Sequence, residues 1–82
     1  MKIKYFAWLK NITKTDSEDI NNTEINDINS LKKFLCHKYP KLNEYILKDN
    51  IIRIAINLEY TTTNDKISSK DEVALFPPVS GG

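Results

Sequence analysis

The residues of this chain best suited to chemistry are Gly81 and Gly82, its last two positions, directly behind Phe76-Pro77-Pro78-Val79-Ser80. They are the only two glycines in 82 residues, so a chain that avoids glycine even in its turns places both where the backbone ends. Pro77 and Pro78 fix φ and favour an extended polyproline course, which projects the tail away from the body. Gly81 and Gly82 carry no Cβ, so their backbone fits a slot too narrow for any other residue. The carboxylate of Gly82 arrives at the end of that slot. A carboxylate is inert toward acyl transfer until one oxygen becomes a leaving group, so the tail calls for a partner that activates it, most simply as an acyl adenylate made from ATP. The chain is then a substrate and carrier. A merely flexible end is the plainer reading of a lone Gly-Gly; the Pro-Pro and the strand before it weigh against that here.

Cys36 and His37 invite a nucleophile-and-base reading. Neighbours on a helix point about 100° apart and do not face one another. With one Cys and one His in the chain, neither a metal cage nor a catalytic triad assembles. Cys36 is expected to flank the core and His37 to face solvent. The acidic residues fall in no paired acid and base motif, and no glycine-rich loop is present to cradle a phosphate.

Twelve Lys and Arg against eleven Asp and Glu give a net charge of +1, without the basic stripe that nucleic-acid binding requires. The opening MKIKYFAWLKN lacks the apolar stretch of a signal peptide, and no segment is long enough to cross a bilayer. One cysteine allows no internal disulfide, so a reducing, cytoplasmic setting is expected. Eighty-two residues supply one core and one domain.

The elements that position the tail follow from periodicity. In residues 2–9, KIKYFAWL, alternation puts Ile3, Tyr5, Ala7 and Leu9 on one face and Lys2, Lys4, Phe6 and Trp8 on the other, the pattern of a strand. A polar stretch leads to a weaker strand over residues 19–23. Asp27 is a natural N-cap for a helix over residues 28–38, whose Ile28, Leu31, Phe34 and Leu35 share one side, and Pro40 stops it. IIRIAIN reads as a central strand, residues 57–59 as a turn, residues 60–62 as a short strand and residues 71–76 as the last strand. This order predicts an α+β fold of β-grasp (ubiquitin-like) type, a mixed sheet of about five strands half covered by one main helix. Residues 1–76 form the domain and residues 77–82 the extended tail. Phe6, Trp8, Tyr60 and Phe76 lie out of phase with the core and are expected to form an exposed apolar patch for a partner.

These residues resemble the small, sulfur-carrying subunit of molybdopterin synthase, the MoaD family of ubiquitin-like proteins. YFAWLKN is similar to its first-strand motif, LKKFLCHKYP to its helix, AIN to its Ala-Val-Asn and DEVALFPPVSGG to its terminal signature; the likeness spans the whole chain. The resemblance implies that the Gly82 carboxylate is adenylated by a MoeB-like activating enzyme and becomes a thiocarboxylate with sulfur from a persulfide donor. It implies that the tail, with Pro77, Pro78, Val79, Ser80 and Gly81, then enters a MoaE-like large subunit in a heterotetramer of two small and two large chains. There the sulfur passes to cyclic pyranopterin monophosphate to make molybdopterin. No cofactor stays bound; the activating enzyme uses the ATP. The small subunit is a sulfurtransferase component, not catalytic alone, with no nucleic-acid or membrane partner.

Three alternatives share the Gly-Gly. One is a related carrier serving thiamin synthesis or tRNA thiolation, one a ubiquitin-like modifier joined to lysines, and one a plain interaction module. One departure from the family is Ser69-Lys70 where Asp-Gly is usual, so a turn needing positive φ at Lys70 is expected to be strained.

Overall fold

The computed structural model describes residues 1–78; the expectations for Val79, Ser80, Gly81 and Gly82 lie outside the described residues. Its strands are β1 (Lys2–Tyr5), β2 (Ser17–Asp19), β3 (Arg53–Ile56), β4 (Glu59–Thr61) and β5 (Glu72–Phe76), and its helices α1 (Leu9–Thr13) and α2 (Ile28–Lys38). The strands form one mixed sheet in the order β2-β1-β5-β3-β4. β1 and β5 run parallel and the other pairs antiparallel. This is the expected β-grasp arrangement.

Asp27 caps α2 as anticipated. Its Oδ1 accepts from the Ser30 amide at 2.8 Å while the Ser30 hydroxyl accepts from the Asp27 amide at 3.2 Å, a reciprocal capping box that satisfies two otherwise orphaned donors. The helix then buries Ile28, Leu31 and Leu35 against Ile3, Tyr5, Ile54, Val73 and Leu75 of the sheet. The register Ile3↔Val73↔Ile56 and Tyr5↔Leu75↔Ile54 puts these apolar side chains in adjoining rows of one sheet face.

Three expectations need correction. The first strand stops at Tyr5, Ala7 takes φ 54° and residues 9–13 turn helical. Ala7 is therefore exposed, and Leu9 reaches the core from a helix. The cause is its neighbour: the Phe6 amide still bonds the Leu75 carbonyl at 3.1 Å, but next along β5 come Pro77 and Pro78, which bring no N–H to extend the ladder. The second strand is residues 17–19 instead of 19–23, because its pairing register ends where the Met1 carbonyl accepts from Ile20. β3 is paired on both sides, as expected of a central strand, and β5 lies in the middle of the sheet. Lys70 has no positive φ, and the expected strain is absent. Asp71 donates its amide to the Ser68 carbonyl and takes the Ser68 amide on its carboxylate at 2.8 Å, a turn that needs no glycine.

Candidate docking face at the root of the tail

The face of the sheet turned away from α2 is built from the opposite phase of the same strands. Lys4 pairs with Ala74, Ala74 with Ala55 and Ala55 with Tyr60. Small residues at 74 and 55 lower the floor of this row. Phe6, Tyr60 and Phe76 stand around it: the Phe6 and Phe76 rings stack at 4.5 Å with 11° between their planes, and Tyr60 leans on Phe76 at 5.7 Å. Ala55 is 4% and Ala74 8% exposed beneath this roof, whereas Phe6 is 39% and Tyr60 68% exposed. Aromatic pairs of this geometry gain from offset contact beyond their area alone. An apolar surface left open to water in this way is the usual mark of a docking site.

Leu58 joins the same surface at 91% exposure and, with Phe6, Tyr60 and Phe76, lines a small depression of about 130 Å³ over Ala55 and Ala74. The sequence reading missed it. Leu58 sits with Asn57 in the two-residue turn between β3 and β4, and both take positive φ, 50° and 72°. Such a turn ordinarily holds Asn-Gly. A leucine forced into that position, with its side chain in water, was the available signal. Lys4 and Glu72 close one border of the patch with an ion pair of 2.7 Å, and Lys4 holds the Glu72 carboxyl below its ordinary value.

Of the four aromatics assigned to the patch, the structure brings three together. Trp8 goes elsewhere: the turn at Ala7 directs it onto Tyr45, edge to face at 4.9 Å, where it keeps 38% exposure. Tyr45 belongs to a π-helical turn, Glu44–Lys48, that periodicity did not show. β5 runs through the patch and leads straight into the tail. Pro77 is buried and Pro78 exposed, so the chain departs from the body beside Phe76.

Cys36 is half-buried, and burial raises its thiol above the ordinary value, with Lys32 opposing in part. It is thus kept protonated beside an exposed His37, as expected of a helix residue flanking the core. Among the described residues no group of three or more metal-ligating side chains occurs, and no helix is long and apolar enough to cross a membrane.

A curated relative from Dictyostelium discoideum, a molybdopterin synthase sulfur carrier subunit, is 36% identical over 99% of this chain and 94% of its own length. Among solved structures, the small archaeal modifier protein 1 of Methanosarcina acetivorans superposes with a TM-score of 0.83 at 25% identity, covering 99% of this chain and 94% of that one. Subunits 1 and 2 of the molybdopterin-converting factor of Helicobacter pylori, solved as a complex, give a match with TM-score 0.68 and 26% identity over 99% of this chain and 96% of that one. The sequence profile of the ThiS family matches residues 3–82, so the β-grasp body, the open aromatic face and the terminal Gly-Gly are those of a chain that belongs to the ThiS family.

Proposed function

We propose that this chain is the sulfur carrier subunit of a molybdopterin synthase, with residues 1–76 as the docking body and residues 77–82 as the reactive tail. The observation that carries the reading is the position of the Phe6–Phe76–Tyr60 surface at the root of a chain ending in Gly81-Gly82. A partner that grips this face receives the tail in a defined direction. Adenylation of the Gly82 carboxylate expels pyrophosphate, the outer sulfur of a persulfide donor displaces AMP to give an acyl disulfide, and a thiol attacks the donor's inner sulfur, breaking the S–S bond to release the thiocarboxylate and leave donor and thiol joined as a disulfide. The thiocarboxylate is an anion at neutral pH and a good sulfur nucleophile. A MoaE-like large subunit, two copies with two of this chain, then supplies the basic pocket and side chains that pass the sulfur to cyclic pyranopterin monophosphate. The relatives named as sulfur carrier subunit and as a two-subunit converting factor support this assignment.

The test is intact mass after incubation with a MoeB-like activating enzyme, ATP and a sulfur source: one oxygen is exchanged for sulfur at Gly82. Deleting Gly82 should abolish transfer while folding and docking persist. Adding one residue should do the same, since it moves the carboxylate by about 3.3–3.6 Å. Gly81→Ala should slow transfer more than it weakens binding, because a methyl against the slot displaces the reacting atom from an attack distance of roughly 3–3.5 Å. An extended chain that delivers sulfur uncleaved overturns the mechanism.

A second reading has one observation in its favour, the fold match to a small archaeal modifier protein. A modifier would use the same adenylate and end in an isopeptide bond. Gly82 found on lysines of other proteins, with no thiocarboxylate formed, decides for it.

A further inference from the structure

We propose that Arg53 is the charged anchor of the open face and pairs with a carboxylate of the large subunit that covers the aromatic patch. The register sets Arg53 opposite Phe76 and Ala55 opposite Ala74. Alternation along β3 therefore puts Arg53 on the same face as Ala55, turned away from α2, while Ile54 between them is buried in the core. Residues directly opposite across a ladder have Cβ atoms about 4.5–5.5 Å apart. Arg53 thus borders Phe76 at the end of β5, where the tail begins. Its outer flank is open as well, because Ile54↔Thr61 is the last pair between β3 and β4 and the outer strand stops short of it.

The two ends of the face differ in charge. At the start of β5, Lys4 is paired with Glu72, and the register sets Lys2 beside both Glu72 and Asp19. Glu72 and Asp19 are the carboxylates in phase with this face among the strand residues, and both stand at that far end; Glu18 and Glu59 fall in the opposite phase. At the tail end Arg53 is exposed. Among the described residues it forms no ion pair, the two pairs present being Lys4–Glu72 and Lys38–Glu18. Asp65, in the loop after β4, has its carboxylate engaged by the hydroxyls of Thr61 and Thr63. A partner that buries Phe6, Phe76 and Tyr60 also takes water from Arg53, and a guanidinium desolvated without a counter-charge is strongly unfavourable. The large subunit has therefore to bring the anion. A carboxylate fits, since its two oxygens accept the planar fork side by side. One arginine among aromatic rings is the composition of a protein interface, whereas a phosphate backbone needs a row of cations. The pair stands beside the root of the tail, so it fixes the partner where the chain leaves the body. This anchoring rests on the reading of the chain as a carrier docked on a large subunit.

The experiment is binding of the full chain to a MoaE-like large subunit, measured by calorimetry at low and high salt for the wild type, Arg53→Gln, Arg53→Glu and Arg53→Lys. Each complex is then treated with a carbodiimide, which joins amines to carboxylates and leaves arginine unreacted, and its peptides are mapped. Arg53→Gln should weaken binding about tenfold and lessen the loss of affinity in high salt. Arg53→Glu should weaken it roughly a hundredfold, because like charges then meet. Arg53→Lys should bind between the wild type and Arg53→Gln, and should gain a cross-link from position 53 to an aspartate or glutamate of the large subunit that the wild type lacks. Equal affinity of Arg53→Glu and the wild type overturns the proposal. So does a cross-link from position 53 only to carboxylates of this chain, which makes the arginine's counter-charge internal. Should Arg53→Glu disturb the sheet, as the thermal midpoint reports, the Arg53→Lys cross-link still decides. A wild-type chain without affinity for the large subunit overturns the carrier reading and the anchor with it; a wild type that binds, indifferent to changes at position 53, overturns the anchor alone.

Discussion

Glu18 receives hydrogen bonds from Tyr5, Tyr39 and Lys38, and so ties β2 to the end of α2. Its partial burial alone raises the carboxyl, but the donors from Lys38, Tyr39 and Tyr5 together outweigh that and hold it below its ordinary 4.5. A carboxyl lowered in the folded state contributes stability that is complete above the unfolded value and lost as pH falls through the folded one. Denaturant unfolding should therefore show stability declining below about pH 4.5, and Glu18→Gln should flatten part of that decline. A titration slope unchanged by the substitution would remove Glu18 from the account. On the opposite face, Phe6 stacks on Phe76 in the open patch while Trp8 packs on Tyr45. Phe76→Ala and Phe6→Ala should each weaken binding of the large subunit about tenfold or more, the cost of losing a central aromatic anchor. Trp8→Ala should leave affinity nearly unchanged. Calorimetry on the three variants checks the division.

At the scale of elements, the β3–β4 hairpin carries a conflict between folding and docking. Leu58 holds φ 72° with its side chain in water, a conformation that costs an L-residue with a Cβ roughly 1–2 kcal/mol and glycine almost nothing. Leu58→Gly should accordingly raise stability by about 0.5–1 kcal/mol after the extra chain entropy of glycine, a gain of several degrees in the midpoint. The same change removes an apolar contact from the patch and should weaken docking. A variant more stable and equally tight would show that Leu58 lies outside the interface. The hairpin is also stitched to β5: the Asn57 side chain accepts from the Glu72 amide at 3.0 Å and donates to Asp71 at 2.9 Å. The turn is thereby held against the strand that leads into the tail.

For the whole molecule, the decisive packing is that of β5, the middle strand, whose Val73 and Leu75 are inaccessible to solvent. A domain of this size has about 4–12 kcal/mol of stability in total, and truncating a fully buried leucine costs about 2–5 kcal/mol. Leu75→Ala should consume much of the margin and lower the thermal midpoint by ten degrees or more, by roughly 4–8 °C for each kcal/mol; a shift of one or two degrees would mean the core re-closes around the cavity. Much of this architecture is legible in the sequence. The capping residue Asp27, the helical spacing of Ile28, Leu31 and Leu35 and the isoleucine-rich run of β3 are local patterns, and local chemistry decides them. The terminal Gly81-Gly82 behind Pro77-Pro78 likewise needs no neighbour to be recognised. The end of β1 at Tyr5, the register of β2 and the parting of Trp8 from Phe6 are different. Each depends on what a segment distant in the chain has to offer: a proline without an amide beyond Phe76, a first strand that begins at Lys2, a tyrosine at 45. Hydrogen bonds and ring contacts between distant segments have no period in the sequence, so only the tertiary structure removes Trp8 from the expected patch and adds Ala55, Ala74 and Leu58 to the face where Phe6, Tyr60 and Phe76 meet at the root of the tail.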